Sequence, residues 1–385
     1  MSRLDELIST LCPDGVEYKK VGSICEILRG KRLTTKELLE DGEYPVIHGG
    51  TTPMGFYNRA NRKAGTTIVI NTGNAGCVFY IDKEFWSSDA CFSLYPCSEV
   101  LDRFLYFFVS SKEEVLKGKI RAGAMPTIDS NSVENLKIPV PPIEVQREIV
   151  RILDNFTELT AELTAELTAR KKQYEYYRDM LLTVDGDRKK LKDICLSIRD
   201  GMHNLPASTT EPSFYPILSA QNINEGIIDY NAKRYVTQET FEVENRRTDV
   251  KKGDVLLTIV ATIGRTAVVK ENRPFLLQRS VCVLKPKSDV LPEYLRYWFD
   301  TSAVQQYMFA NAHGSAQAGL YLNQVSDMEI TLPSIETQKK IVDTIGKFDE
   351  VCSSISSGLP AEIDARQKQY EYYRDKLLTF KELQR

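Results

Sequence analysis

Histidine is scarce in this chain, with three among 385 residues, and its eight cysteines (Cys12, Cys25, Cys77, Cys91, Cys97, Cys195, Cys282 and Cys352) include no Cys-x-x-Cys pair. So few ligands at such irregular spacing exclude a zinc site and a disulfide framework, and buried reduced thiols in a cytosolic compartment are expected instead. The longest apolar stretch, Val255 to Ile263, is interrupted by threonines and is far too short for a membrane span. The opening residues MSRLDELIST carry acids and no apolar core, so they do not read as a secretory signal, and a cytoplasmic address is the expectation. Catalytic signatures are missing as well. There is no Gly-x-x-x-x-Gly-Lys-Ser/Thr phosphate loop, no Asn/Asp-Pro-Pro-Tyr/Phe amino-methyltransferase motif and no His-Glu-x-x-His. No catalytic residue and no metal are therefore assigned, and the chain reads as a non-enzyme. A basic surplus is also lacking: net charge is -3, residues 1–142 hold 17 basic and 18 acidic side chains, and residues 184–333 hold 18 of each. Any nucleic-acid contact must come from local clusters, or be shared with partners that supply phosphate contacts.

What the chain does contain is an internal repeat. ARKKQYEYYRDMLLT (169–183) recurs as ARQKQYEYYRDKLLT (365–379), identical at 13 of 15 positions. Upstream, IPVPPIEVQREIV (138–150) is echoed by ITLPSIETQKKIV (330–342), which keeps Pro141/Pro333, Ile143/Ile335, Glu144/Glu336 and Gln146/Gln338. Fainter echoes pair Tyr44-Pro45 with Tyr215-Pro216, and Gly65 and Gly76 with Gly253 and Gly264. The domain reading is 1–142 and 184–333 as two globular parts, each followed by a helix, 143–183 and 334–385.

Short β-branched runs bounded by Gly, Asn and Asp, such as GTTIVI (65–70), GCVFYI (76–81), GDVLLTIV (253–260) and RTAVVK (265–270), predict strands. FLYFFV (104–109) and YLRYWF (294–299) predict buried helices packed on those sheets. The mixture is α+β. In the first long helix Ile149, Ile152, Phe156, Leu159, Leu163, Leu167, Tyr174, Tyr177 and Leu181 form one stripe toward a partner helix. TELTAELTAELTA (157–169) repeats every four residues, which drifts by about 40° per repeat against a 3.6-residue turn. In the second long helix Gly358 and Pro360 predict a break or kink near 356–360.

Two divergent globular segments, each closed by a proline-containing exit, an Ile-Glu-x-Gln helix start and a repeated QYEYYRD helix, resemble the specificity subunits of Type I restriction-modification enzymes, in the subclass with tetrapeptide repeats in the central helix. The resemblance runs from LCPDGVEYKKVG (11–22) to LLTF (377–380). It implies two α/β-type target-recognition domains separated by two long antiparallel coiled-coil helices with pseudo-twofold symmetry. Each domain would read one half of a bipartite double-stranded DNA site. Two modification (methyltransferase) subunits and further restriction (motor and nuclease) subunits would dock on this frame, and they, not this chain, would hold S-adenosylmethionine, ATP and magnesium. A two-headed protein-binding scaffold is the alternative.

Arg and Lys suit phosphate or guanine and Asn suits adenine, which makes the local clusters DNA-contact candidates. In the first part these are Arg29, Lys31, Arg32, Arg59, Arg62, Lys63, Asn71, Asn74, Lys117, Lys119 and Arg121. In the second they are Arg199, His203, Asn204, Gln221, Asn222, Arg246, Arg247, Thr262, Arg265, Gln278, Arg279, His313, Ser315 and Gln317. Tyr174, Tyr176 and Tyr177, with their copies Tyr370, Tyr372 and Tyr373, cannot all face one helix seam, and they are assigned to partner docking.

Overall fold

The computed structural model describes residues 2–121, 123, 125–212, 215–314 and 318–383, without the side chains of 351–359. The chain forms two compact units, one of Met1–Ala165 with Leu359–Arg385 and the other of Glu166–Gly358. Each unit therefore takes a globular head and one part of each long helix. Among the described residues no helix is long and apolar enough to cross a membrane.

In the first head Thr66–Ile70 is buried at all five positions, as its run of β-branched side chains demands of a strand covered on both faces. It lies inside a four-stranded antiparallel sheet ordered Cys25–Arg29, Cys91–Pro96, Thr66–Ile70, Val78–Ile81. A smaller sheet sets Tyr44–Ile47 between Gly55–Tyr57, antiparallel, and Trp86–Ser87, parallel. Tyr18–Lys20 pairs with Lys137–Pro139. The second head repeats this order with other residues. Its main sheet runs Cys195–Asp200, Val281–Pro286, Val255–Thr258, Thr266–Val268. Tyr215–Leu218 sits between Tyr235–Val236 and Leu276–Leu277, and Asp187–Lys190 pairs with Glu329–Leu332. The second head adds a short hairpin, Ile223–Asn224 with Ile227–Ile228.

The two aromatic runs are the helices Asp102–Ser111 and Pro292–Phe299, and each packs on its main sheet. They bury Phe104, Leu105, Phe107 and Phe108 in one head and Tyr294, Leu295, Tyr297, Trp298 and Phe299 in the other. Each such side chain contributes roughly 1.5–3 kcal/mol. Neither helix has a side-chain cap of its own, because its N-cap is a leucine. The missing acceptor arrives from the long helix. Gln146 is fully buried; its Oε1 accepts from the Leu101 amide at 2.9 Å and its Nε2 donates to the Glu99 and Pro141 carbonyls at 2.7 and 2.8 Å. Gln338 does the same with the Leu291 amide at 2.9 Å and the Asp289 and Pro333 carbonyls at 2.9 and 3.0 Å. This is why the Ile-Glu-x-Gln motif occurs twice: the glutamine bolts the root of the long helix to the head.

The long helices are Ile143–Leu182 and Ile335–Leu377. In the first unit Phe156 stacks on Tyr373 with centroids 5.7 Å apart, and in the second Tyr177 stacks on Phe348 at 6.1 Å. In both units the early part of one helix meets the late part of the other, as an antiparallel pairing requires. Two expectations change. The break at Gly358 and Pro360 is absent, for Ile335–Leu377 is one helix with Pro360 inside it. A proline removes one amide donor and crowds one carbonyl, a local cost of about 3 kcal/mol that the many remaining hydrogen bonds outweigh. The single apolar stripe is also too simple: Val145, Ile149 and Leu153 are fully buried against the head, whereas Leu159 is 44% exposed. The packed head, not a continuous helix seam, decides which face is covered at the root.

Replacing Gln338 by Ala leaves the Leu291 amide and two carbonyls buried without partners. A loss of about 1–3 kcal/mol is expected, read as a lower urea midpoint and as lost hydrogen-exchange protection at the Leu291 amide, with Gln146→Ala doing the same at Leu101.

Candidate nucleic-acid interface

Antiparallel strands place alternate ends on one rim. In the first main sheet that rim gathers the end of Cys25–Arg29, the start of Cys91–Pro96, the end of Thr66–Ile70 and the start of Val78–Ile81. Three loops leave it, the hairpin loop 71–77 joining two of these strands, and backbone hydrogen bonds lash them to one another and to the segment 121–128. The Lys31 amide donates to the Ser87 carbonyl at 2.9 Å, the Asn71 amide to Ala90 at 2.8 Å, the Gly73 amide to Pro126 at 3.1 Å and the Ile128 amide to Asn71 at 2.9 Å. Arg121 and Thr127 exchange backbone hydrogen bonds at 2.8 and 3.4 Å. The second head has the same lashings: Met202 to Leu277 at 2.7 Å, Ile259 to Ser280 at 2.9 Å, Ala261 to Ala318 at 3.0 Å, Leu320 to Ile259 at 2.8 Å, and His313 with Gly319 at 2.9 Å both ways. These bonds align the heads residue by residue where their sequences do not. Arg29 corresponds to Asp200, Gly30 to Gly201, Asn71 to Ile259 and Arg121 to His313.

Glycine at the strand end is required by close approach. A Cβ on Gly30 would stand 2.0 Å from the Ser88 carbonyl oxygen, and one on Gly201 would stand 2.2 Å from that of Leu277. At Ala261, where the first head has Gly73, an alanine is held at φ 67°, and the neighbouring Thr262 hydroxyl is buried without a partner. Such local cost concentrates where a surface serves function.

Most candidates from the sequence meet on these rims. Arg29, Lys31, Arg32, Asn74, Lys119 and Arg121 are exposed in the first head, and Lys117 lies beside Gly76. In the second, Arg199, His203, Asn204, Gln221, Arg265, Arg279 and His313 are exposed and Gln278 and Thr262 are half-buried. Ser315 and Gln317 lie outside the described residues. Several cations are not bare. Lys117 pairs with Glu114 at 2.9 Å and Glu113 at 3.4 Å, and Arg121 pairs with Asp129 at 2.7 Å. The His313 ring stacks on Tyr321 at 5.7 Å and contacts Gln324 at 3.1 Å, while Lys63 sits over the Tyr95 ring at 5.4 Å. Arg59 and Arg246 are exposed as well.

Four candidates serve structural roles: Arg247 donates from Nε to the Asp200 and Gly201 carbonyls at 3.0 and 3.2 Å and pairs with the Asp200 carboxylate, and the other three are Asn71, Asn222 and Arg62. Asn71 is 3% exposed, donates to the Asp89 carbonyl at 3.1 Å and accepts from Thr72 Oγ1 at 2.7 Å, so its amide holds the rim from within. Asn222 accepts from Ser219 and donates to the Asp229 and Asn231 carbonyls at 3.0 and 3.1 Å, locking a turn. Arg62 spends its guanidinium on Ser93 Oγ, the Asn61 carbonyl and the Arg29 carbonyl at 2.9, 2.8 and 3.0 Å. A turn-type Asn and a pinned Arg look like their DNA-reading counterparts in sequence, because residue type does not reveal whether the donors are taken. Sequence reasoning also missed Trp86, whose Nε1 holds the Lys31 carbonyl at 2.8 Å, and His48, whose Nδ1 is buried without a partner beside the rim.

The tyrosine blocks divide the same way in both units. At about 100° per residue, Tyr174 and Tyr177 lie near one side of the helix and Tyr176 on the other. Tyr174 packs against its unit's core and donates to Asp349, which also takes Tyr297 at 2.6 Å and Arg296 at 3.3 Å. Burial, with the Asp349 carboxylate beside it, pushes the Tyr174 phenol up. Tyr370 packs into the first unit's core, where burial pushes its phenol up to about 12. These two face inward, contrary to a docking role, because an aromatic next to a head finds a core to enter. Tyr176 and Tyr372 stay out, at 65% and 63% exposed, and Tyr177 and Tyr373 lie between, at 38% and 36%.

Two heads of one strand order and one rim, with unlike side chains on it, define a paired-domain recognition protein. Residues 13–170 and 184–365 each match the family model described as the Type I restriction modification DNA specificity domain, and the chain belongs to that family, carrying its domain twice. It is 30% identical to a putative type I restriction enzyme specificity subunit of Haemophilus influenzae over 95% of this chain and 96% of that one. It is 28% identical to the EcoR124I/EcoR124II specificity subunit of Escherichia coli over 99% and 97%. The crystal structure of a Type-I restriction-modification system S subunit from M. genitalium shares the fold, with TM-score 0.55 at 16% identity over 94% and 96% of the two chains.

Arg62→Ala is expected to cost about 1–3 kcal/mol by removing charge-assisted hydrogen bonds to buried Ser93 and to the Asn61 and Arg29 carbonyls, whereas Arg59→Ala leaves stability within about 0.5 kcal/mol. Chemical unfolding of the two variants side by side checks the distinction.

Proposed function

We propose that this chain is the DNA-recognition subunit of a Type I restriction-modification complex: its two rims each read one half of an interrupted, asymmetric double-stranded site, and partner subunits methylate adenine there or restrict the DNA. One observation carries the reading. The backbone lashings of the rim are common to both heads while the side chains they present differ, as at Arg29 and Asp200 or Arg121 and His313. Identical heads on a twofold frame suit a palindrome; unlike heads on the same frame suit two unlike half-sites. The absence of a cationic surplus fits a subunit that shares phosphate contacts with its partners. In this reading the chain itself is non-catalytic, and S-adenosylmethionine, ATP and magnesium are held by the modification and restriction subunits. Family membership weighs against the rival scaffold of two protein-binding heads. Mapping methylated adenines in cells with and without the gene tests the proposal: a bipartite motif that appears only with the gene supports it, and identical methylomes sink it.

The passage from one unit to the other along the first long helix falls between Ala165 and Glu166, inside the tetrapeptide tract. Inserting one more Thr-Ala-Glu-Leu after Leu167 adds about 6 Å of rise and 40° of rotation, against about 3.4 Å and 35° for one base pair. Because the added rotation, which sets groove phase, matches one base pair, the DNA spacer is expected to lengthen by about one base pair with both half-sites unchanged, which methylation-site sequencing of the insertion variant reads directly.

Tyr176 and Tyr372, equivalent and exposed, supply two matched docks for two modification subunits. The Tyr176→Ala, Tyr372→Ala double variant is expected to lose co-purification of those subunits while its own fold persists by circular dichroism.

A further inference from the structure

The second rim carries a device that the first lacks. Asp200 ends the strand Cys195–Asp200 opposite Cys282 and is 7% exposed. A carboxylate this buried needs partners. One oxygen takes Arg247 and the other takes His203 Nε2 at 2.6 Å. Arg247 Nε also donates to the Asp200 carbonyl at 3.0 Å, and in the first head the corresponding carbonyl, that of Arg29, accepts from Arg62 at 3.0 Å. The arginine pin is therefore shared scaffold. The carboxylate and the histidine on it are not shared, because Arg29 occupies the place of Asp200.

His203 is 57% exposed, yet it is placed firmly. The Gly201 and Met202 amides donate to the Val281 and Leu277 carbonyls at 3.0 and 2.7 Å, so the backbone ahead of it is fixed, and Asp200 fixes the ring. An ionised carboxylate only accepts, so Nε2 carries the proton and Nδ1 of the neutral ring is an acceptor. In the major groove an acceptor matches an exocyclic amino group, N4 of cytosine or N6 of adenine. Building on the DNA-recognition reading, we propose that His203 Nδ1 reads a base amino group in the half-site served by the second head, with Asp200 as the residue that positions it.

The test is selection from a duplex library randomised across both half-sites, using the full chain assembled with its modification subunits. His203→Ala, a change at an exposed side chain, is expected to reduce preference for an amino-bearing base about tenfold at one position of one half-site and to leave the other half-site unchanged. Asp200→Asn is expected to relax the same position. A wild-type preference that survives His203→Ala at every position overturns this inference alone, as does an equal loss over both half-sites. A wild-type complex that selects no sequence overturns the DNA-recognition reading and this inference with it.

Discussion

Everything else in the molecule depends on a buried primary amide. Gln146 and Gln338 each satisfy one amide and two carbonyls at the junction of a head and a long helix. A buried backbone group without a partner costs more than a formed bond gains. The junction can therefore close in only one way, with the aromatic helix capped by the residue that also anchors the strut. A flexible joint would let a head rotate on its helix, and a reader that rotates cannot keep phase with a DNA groove.

On that joint the two heads are built alike and then diverge. Strand order, the close-packed glycines Gly30 and Gly201, and the interloop hydrogen bonds are common property. Rim side chains are not. This separation lets one frame carry unlike readers, since a substitution at an exposed rim position disturbs no lashing, whereas one at Arg62, whose side chain holds the Arg29 carbonyl, would remove one. It also explains a DNA-recognition chain without net positive charge: the readers need a few directed donors and acceptors, and several rim cations, such as Lys117 and Arg121, are already balanced by Glu113, Glu114 and Asp129.

Much of this was legible in the sequence. The β-branched runs at 66–70 and 255–258 are strands, the aromatic runs are the helices beneath them, and the duplicated tyrosine blocks are equivalent in exposure to within a few per cent. Local pattern reaches that far because strand burial and helix periodicity are written in neighbouring residues. At Gly358 and Pro360, where the sequence predicts a break or kink, the helix Ile335–Leu377 runs on without a break, being long enough to absorb one lost bond. At Asn71, Asn222, Arg62 and Arg247 residue type suggests free donors, and the fold engages those side chains internally. Tyr174 and Tyr370 are assigned to docking with their neighbours, although the apolar spacing already puts Tyr174 on the packed stripe, and the structure packs both against a core.

By itself, then, the sequence determined the duplication, the α+β class, the paired long helices and the family, since each rests on order along the chain. Only the tertiary structure decided the partners of each polar group. It showed that the repeated glutamine is a bolt, that loops far apart in sequence share one rim, and that Asp200 holds His203 and Arg247 together. The physical reason is that a side chain's role is set by whether its hydrogen-bonding capacity is spent inside the fold, and that depends on groups brought close by folding rather than by sequence.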